Sequence, residues 1–96
     1  MAKELPIFTS HAYERMGRRA VNVEDVLAVI ETGEEIESYP SDTPYPSRLL
    51  LGRSGDRMLH AVVAKVPKTG QNVVISVYVP DPRKWEPGFR KRRPRG

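Results

Sequence analysis

The amino-acid sequence predicts an α+β domain, with two N-terminal helices packed on a four-stranded antiparallel sheet. Three observations carry this expectation. Apolar side chains before Gly33 recur at helical spacing, whereas between Glu34 and Val79 they follow the short runs and alternation of strands. Clusters of Pro, Gly, Ser and Asp divide that second stretch into four pieces, each short enough to pair with the next in a meander. The 96 residues suffice for one domain and leave no room for a separate cofactor-binding module. The expected division is a single domain over residues 1–86 followed by a basic, flexible tail over 87–96.

The first helix is expected from about His11 to Arg19, capped by Ser10 or Thr9. Ala12, Met16 and Ala20 recur at spacing four and mark its buried face. The second helix begins at Asn22, a good N-cap, with Asp25 three residues on. Val23, Val26, Leu27 and Ile30 supply its apolar stripe, and Gly33 ends it. Glu35 to Tyr39 reads as an edge strand, and Pro40, Pro44 and Pro46 as a loop that cannot hold a ladder. Arg48 to Arg53 and Arg57 to Val66 read as a hairpin around Ser54-Gly55-Asp56. After a turn at Pro67-Lys68-Thr69-Gly70 comes Asn72 to Val79, the most β-prone stretch. There Val73, Ile75, Val77 and Val79 form one apolar row, expected to face the helices. Asn72, Val74, Ser76 and Tyr78 make the opposite face mixed, and a ligand could lie on that side.

The formal charge of +4 is unevenly placed. Residues 1–80 hold 9 basic and 10 acidic side chains, a net of −1, while residues 81–96 hold 7 basic and 2 acidic, a net of +5. A solvated terminus, a phosphate-contacting arm and a docking peptide for a partner protein all fit that tail. The chain contains no cysteine, which excludes disulfides, thiolate zinc sites and thiol nucleophiles. No apolar run approaches the ~18 residues of a membrane span, and the N-terminus lacks a secretory signal. A soluble, cytoplasmic domain that uses no cofactor and contacts no membrane is expected.

Without cysteine, and with His11 and His60 as its only histidines, the chain has a short catalytic menu. It has no HExxH, no P-loop and no GxGxxG, and no metal site is expected. His11, Arg15 and Arg18 stand at i, i+4 and i+7 and so share a face of the first helix. A neutral imidazole beside guanidinium groups suits phosphodiester chemistry. The ring takes a proton from a ribose 2′-OH, and the arginines stabilise the charge that develops on phosphorus. A solvated helix face accounts for the same three residues. His60, in a row with Met58, Val62 and Ala64, reads equally as a buried, hydrogen-bonded histidine or an active one. Tyr78 could meet a phosphate or sit half-buried on the sheet, and Trp85 is expected to fold back over the core edge.

Several blocks of sequence carry a family resemblance. Ser10-His11-Ala12-x-x-Arg15-Met16-x-x-Arg19 and Val26 through Gly33-Glu34-x-Ile36 open it. Tyr45-Pro46-Ser47, Leu59-His60-Ala61-Val62-Val63-Ala64, Val77-Tyr78-x-Pro80-Asp81 and Trp85-x-Pro87 continue it. Together these resemble a short prokaryotic domain-of-unknown-function family, number 4258, whose layout is similar to the RelE/ParE-like toxins. The resemblance implies a RelE-like fold and a bacterial toxin–antitoxin role, with metal-independent endoribonuclease activity and a zinc-finger type antitoxin encoded nearby. A non-catalytic protein- or RNA-binding module of the same fold is the alternative. The polar positions it singles out are His11, Arg15, Arg19, His60 and Tyr78. His11 is then general base or acid, with His60 as its complement. Arg15 and Arg19 bind the scissile phosphate, which Tyr78 orients. Arg18, Lys84, Arg90, Lys91, Arg92 and Arg93 are expected to add RNA affinity. Ala20 departs from the family, which often has Gly there. The last strand has no arginine, so positive charge must come from the first helix and the tail.

Overall fold

A computed structural model of the chain describes residues 5–94. Residues 1–4 of the expected signal-free terminus, and Arg95 and Gly96 of the expected tail, lie outside the described residues. The elements in chain order are β1 (Ile7–Phe8), α1 (Ser10–Arg18), α2 (Val23–Thr32), β2 (Glu34–Tyr39), β3 (Ser47–Ser54), β4 (Arg57–Lys65) and β5 (Asn72–Tyr78). They form a mixed α+β structure with one five-stranded sheet in the order β1-β5-β4-β3-β2, antiparallel except where β1 runs parallel to β5. Among the described residues no helix is long and apolar enough to cross a membrane.

The fifth strand corrects the expected count of four. β1 is only Ile7 and Phe8, too short to show a period, and its partners Val73 and Val74 lie at the far end of the sequence. Thr9 joins it to α1. Its backbone N–H donates to Val74 at 3.1 Å, its hydroxyl donates to the Ile75 carbonyl at 3.0 Å, and the same oxygen accepts from the Ala12 N–H as the N-cap. One short side chain therefore both starts the helix and pins it to β5.

α1 ends in a left-handed turn at Ala20, φ 52°, closed by the Val21 N–H on the Met16 carbonyl at 2.9 Å. Arg57 of β4 satisfies the exposed end of that turn, donating to the carbonyls of Arg19 and Ala20. α2 opens with a reciprocal capping box. The Asn22 side chain accepts from the Asp25 N–H, and the Asp25 carboxylate accepts from the Asn22 N–H. That carboxylate also accepts from Ser54 and faces Arg57 at 3.6 Å. The Ser54 bond above all, and then the Asn22 backbone, hold it below its ordinary range.

Gly33 ends α2 as expected, but its φ of −74° needs no glycine. The reason for glycine is room: a Cβ there would stand 2.3 Å from the Val29 carbonyl oxygen and 2.9 Å from that of Leu51. At Gly52 of β3 a Cβ would meet Val29 Cγ2 at 2.9 Å, so α2 lies flat against this strand.

Ala12 and Met16 of α1 and Val26 and Val29 of α2 share one buried cluster with Leu50, Leu59, Ala61, Val63, Val74 and Val77. Val74 in this cluster, and Val79 exposed beyond it, correct the predicted apolar row. Val62 pairs with Ser76 but Val63 pairs with Val74, so Ile75 is an extra residue in β5. The bulge shifts the inward row from Val73 and Ile75 to Val74, while Val77 stays inside. On the other face Leu49, Leu51 and His60 are also buried.

That second face is the side on which a ligand could lie. Beside His60 it is covered by the chain's own C-terminal segment. Residues 84–93 turn back on themselves: Trp85 bridges Arg92, the Glu86 N–H donates to Lys91, and the Arg93 N–H donates to Lys84, the last two at 2.8 Å. Trp85 is 3% exposed, its ring edge-on to His60 at 4.4 Å between centroids. The expected arm over residues 87–94 is thus a short hairpin tied to the sheet. Two ion pairs, Arg90–Glu34 at 2.9 Å and Arg92–Glu37 at 2.8 Å, fasten it to β2.

Candidate functional site

Where α1, the end of β5 and the C-terminal hairpin meet, they enclose an open cleft of about 310 Å3. Arg15 and Arg19 line it from α1, Tyr78 and Val79 from β5 and its exit, and Asp81, Lys84, Trp85 and Arg92 from the hairpin segment. Four cations thus face one carboxylate, and Asp81 is engaged by Arg83, whose guanidinium donates to both of its oxygens. Those bonds hold Asp81 below its ordinary range. Among the described residues, Arg15, Arg19 and Lys84 have no carboxylate within salt-bridge distance.

Tyr78 lines the cleft, and His60 lies beneath it. His60 is fully buried, with Nε2 2.9 Å from the Phe89 carbonyl and Nδ1 3.2 Å from the Tyr78 hydroxyl. A carbonyl only accepts, so Nε2 carries the proton and Nδ1 accepts from Tyr78. Burial pushes the His60 pKa below its usual value, which agrees with this neutral tautomer. Burial also raises the pKa of the Tyr78 phenol, keeping it a protonated donor. The Tyr78 ring meets His60 edge-on at 5.2 Å.

Arg92 is held more firmly than the other cleft cations. Glu37 takes two of its N–H groups at 2.8 and 3.0 Å, and the guanidinium lies 4.7 Å above the Trp85 ring. Tyr39 donates to the same carboxylate. Burial first, and then that bond to Glu37, push the Tyr39 phenol up to about 12.

The predicted residues divide accordingly. Arg15, Arg19, Tyr78, Lys84 and Arg92 come together in the cleft. Arg18 does not, since it points to Glu14 in an exposed i, i+4 pair. The ridge that faces the cleft follows spacing four, through Arg15 to Arg19, rather than the i+7 step to Arg18. His11 continues this ridge one turn earlier, where its Nε2 is 3.4 Å from the Ser76 hydroxyl, outside the cleft lining. His60 lies beneath the cleft and reaches it only through Tyr78. Arg90 is spent on Glu34, Lys91 is exposed beyond the lining, and Arg93 lies in an adjoining groove. Sequence reasoning missed Asp81 as part of the wall and Glu37 with Tyr39 as the anchor of Arg92. No local pattern links residues 37 and 92.

Among the described residues no group of three His, Asp or Glu side chains is placed to hold a metal ion. The family model described as a domain of unknown function (DUF4258) matches residues 8–79. No curated protein and no solved structure matches the chain.

Proposed function

The chain belongs to the DUF4258 family, and on that premise we propose that it is a metal-independent, toxin-like endoribonuclease of RelE/ParE-like character, acting in the cytoplasm under a zinc-finger antitoxin encoded beside it. The observation that carries this reading is the cleft, whose lining brings Arg15, Arg19, Lys84 and Arg92 together with Tyr78. Such a set binds a phosphodiester and stabilises the extra charge of a pentacoordinate phosphorus. His11 takes the 2′-OH proton, the 2′-oxygen attacks phosphorus as the P–O5′ bond breaks, and the 5′-oxygen leaves with a proton from water, giving a 2′,3′-cyclic phosphate. His11 stands on the same ridge as Arg15, one helical turn or roughly 6 Å away. Tyr78 hydrogen-bonds the phosphate by turning its one hydroxyl proton from His60 Nδ1 to a phosphate oxygen. His60 touches no substrate in this scheme and is a positioning residue, holding the phenol from below.

General acid–base catalysis contributes about 10²–10⁴-fold per group, so His11→Ala is expected to slow RNA cleavage by that order in EDTA. Tyr78→Phe is expected to lower the rate while leaving RNA binding in place. Wild-type protein that leaves RNA intact, or a His11→Ala variant that cuts at the wild-type rate, refutes the catalytic reading.

One observation favours the non-catalytic binding module instead. Both nitrogens of His60 are occupied by protein groups, which removes the second histidine expected at the reacting phosphate. That reading keeps the cleft as a phosphate-binding site and predicts RNA binding without cleavage.

A further inference from the structure

The cleft has a neighbour. A second groove of about 570 Å3 is lined by Arg83, Lys84, Arg92, Arg93 and Pro94, so Lys84 and Arg92 form a wall common to both. Arg93 is fixed there, its Nε donating to the Pro82 carbonyl and its backbone N–H to Lys84, both at 2.8 Å. Among the described residues it has no carboxylate partner within salt-bridge distance, like Arg15, Arg19 and Lys84. Four unpaired cations therefore run from α1, across the shared wall, to the far side of the hairpin.

We propose that the two grooves form one track for a single RNA strand, the cleft taking one phosphate and the outer groove the phosphate of a neighbouring nucleotide. This rests on the RNA reading of the cleft and extends it to a substrate class, a single strand of several nucleotides. Phosphates of one flexible strand can enter two concave grooves in succession, whereas those of a stiff duplex stay on its convex surface. A protein partner is disfavoured by the lining. Interfaces between proteins draw their affinity from apolar and aromatic anchors. Among the described residues the large exposed apolar side chains are Leu5, Ile7, Tyr13 and Val79, and of these only Val79 borders either groove. Polyanion binding needs only the cations. The Pro82 carbonyl holds the Arg93 guanidinium beforehand, so less ordering of that side chain remains to oppose binding.

The test is fluorescence anisotropy on the full chain, with 2′-O-methyl oligouridylates of two and six nucleotides that cannot be cleaved. Two phosphates of a single strand, one in each groove, give a log–log salt slope of about −1.4 for the hexamer, at ~0.7 per phosphate. The hexamer is expected to bind at least about tenfold more tightly than the dimer at 0.15 M salt. Arg93→Glu is expected to weaken the hexamer by about fivefold or more and flatten its slope by ~0.7, with the dimer unchanged. Lys68→Gln, in the turn at the other end of β5, is expected to alter neither, and circular dichroism checks that each variant is folded. Equal affinity for dimer and hexamer overturns the track, as does Arg93→Glu with wild-type binding or with equal losses on both lengths. A polyglutamate peptide that competes as well as the hexamer, with the same dependence on Arg93, also overturns it in favour of an acidic protein partner. Cleavage is scored separately on unmodified RNA. Hexamer binding through Arg93 without cleavage keeps the track and ends the nuclease reading, while cleavage indifferent to Arg93 does the reverse.

Discussion

Replacing His60 with alanine tests how the C-terminal hairpin, and with it half of the cleft's positive charge, is held on the sheet. The ring is fully buried between Tyr78 and Trp85, and each nitrogen has one partner. Truncation leaves the Tyr78 hydroxyl and the Phe89 carbonyl without that partner. Both residues are only half-buried, so water can reach them, and about 1 kcal/mol each is the appropriate low end for an orphaned group. The lost ring packing adds roughly 2 kcal/mol, the lower part of the range for large-to-small core changes, because the hairpin above can settle. The sum, about 4 kcal/mol, corresponds to a fall in Tm of roughly 15–20 °C at ~0.2 kcal/mol per kelvin for a chain of this length. Trp85 is the chain's single tryptophan, so its emission reports on the hairpin alone. A red shift and readier acrylamide quenching are expected in His60→Ala. His60→Gln, whose amide can still donate to Phe89 and accept from Tyr78, is expected to recover about 1–2 kcal/mol. A His60→Ala protein that melts within about 3 °C of wild type with Trp85 still shielded would refute the anchoring role.

Two further outcomes are expected. Burial lowers the His60 pKa in the fold, so the unfolded chain binds more protons once the pH drops below about 6.5. The contribution of the neutral ring is therefore complete above about pH 6.5 and is lost as the pH falls toward the folded value, and melting at pH 7.5 and 5.5 should show a slope that His60→Gln reduces. Ala20→Gly relieves the positive φ at the end of α1 and is expected to stabilise by up to about 1 kcal/mol, less the greater freedom of glycine in the unfolded chain. Unchanged or lower stability in urea would show that Arg57 and the surrounding turn already absorb the strain.

What could be read from the sequence was what neighbouring residues decide among themselves. The Asn22–Asp25 spacing and the Val23/Val26/Leu27/Ile30 stripe specify α2 within ten residues, and Ser54-Gly55-Asp56 specifies the β3–β4 hairpin. Spacing put His11, Arg15 and Arg18 on one helix face, whereas the cleft takes Arg15 and Arg19, a choice that depends on how the helix rolls against β5. The misses are long-range. β1 exists because Val73 and Val74 offer it an edge, and the bulge at Ile75 is a property of the pairing with β4. The hairpin's position depends on His60, Glu34 and Glu37, between 29 and 56 residues away in sequence. Lys84 and Arg92 enter the cleft for the same reason, and both lie beyond the stretch matched by the family model.

The parallel strand β1 also has a kinetic side. Thr9 and Ile75, joined by a hydrogen bond, are 66 residues apart, and each doubling of a closed loop costs only about 0.6 kcal/mol more in entropy. The thermodynamic penalty is therefore modest, but the search is slower than for the β3–β4 and β4–β5 hairpins, which close locally. The meander from β3 to β5 can form before α1 has anything to rest on. In such an order Arg15 and Arg19 reach Tyr78 last, and a chain still being synthesised carries no complete cleft until residues 7–9 have come back to meet β5.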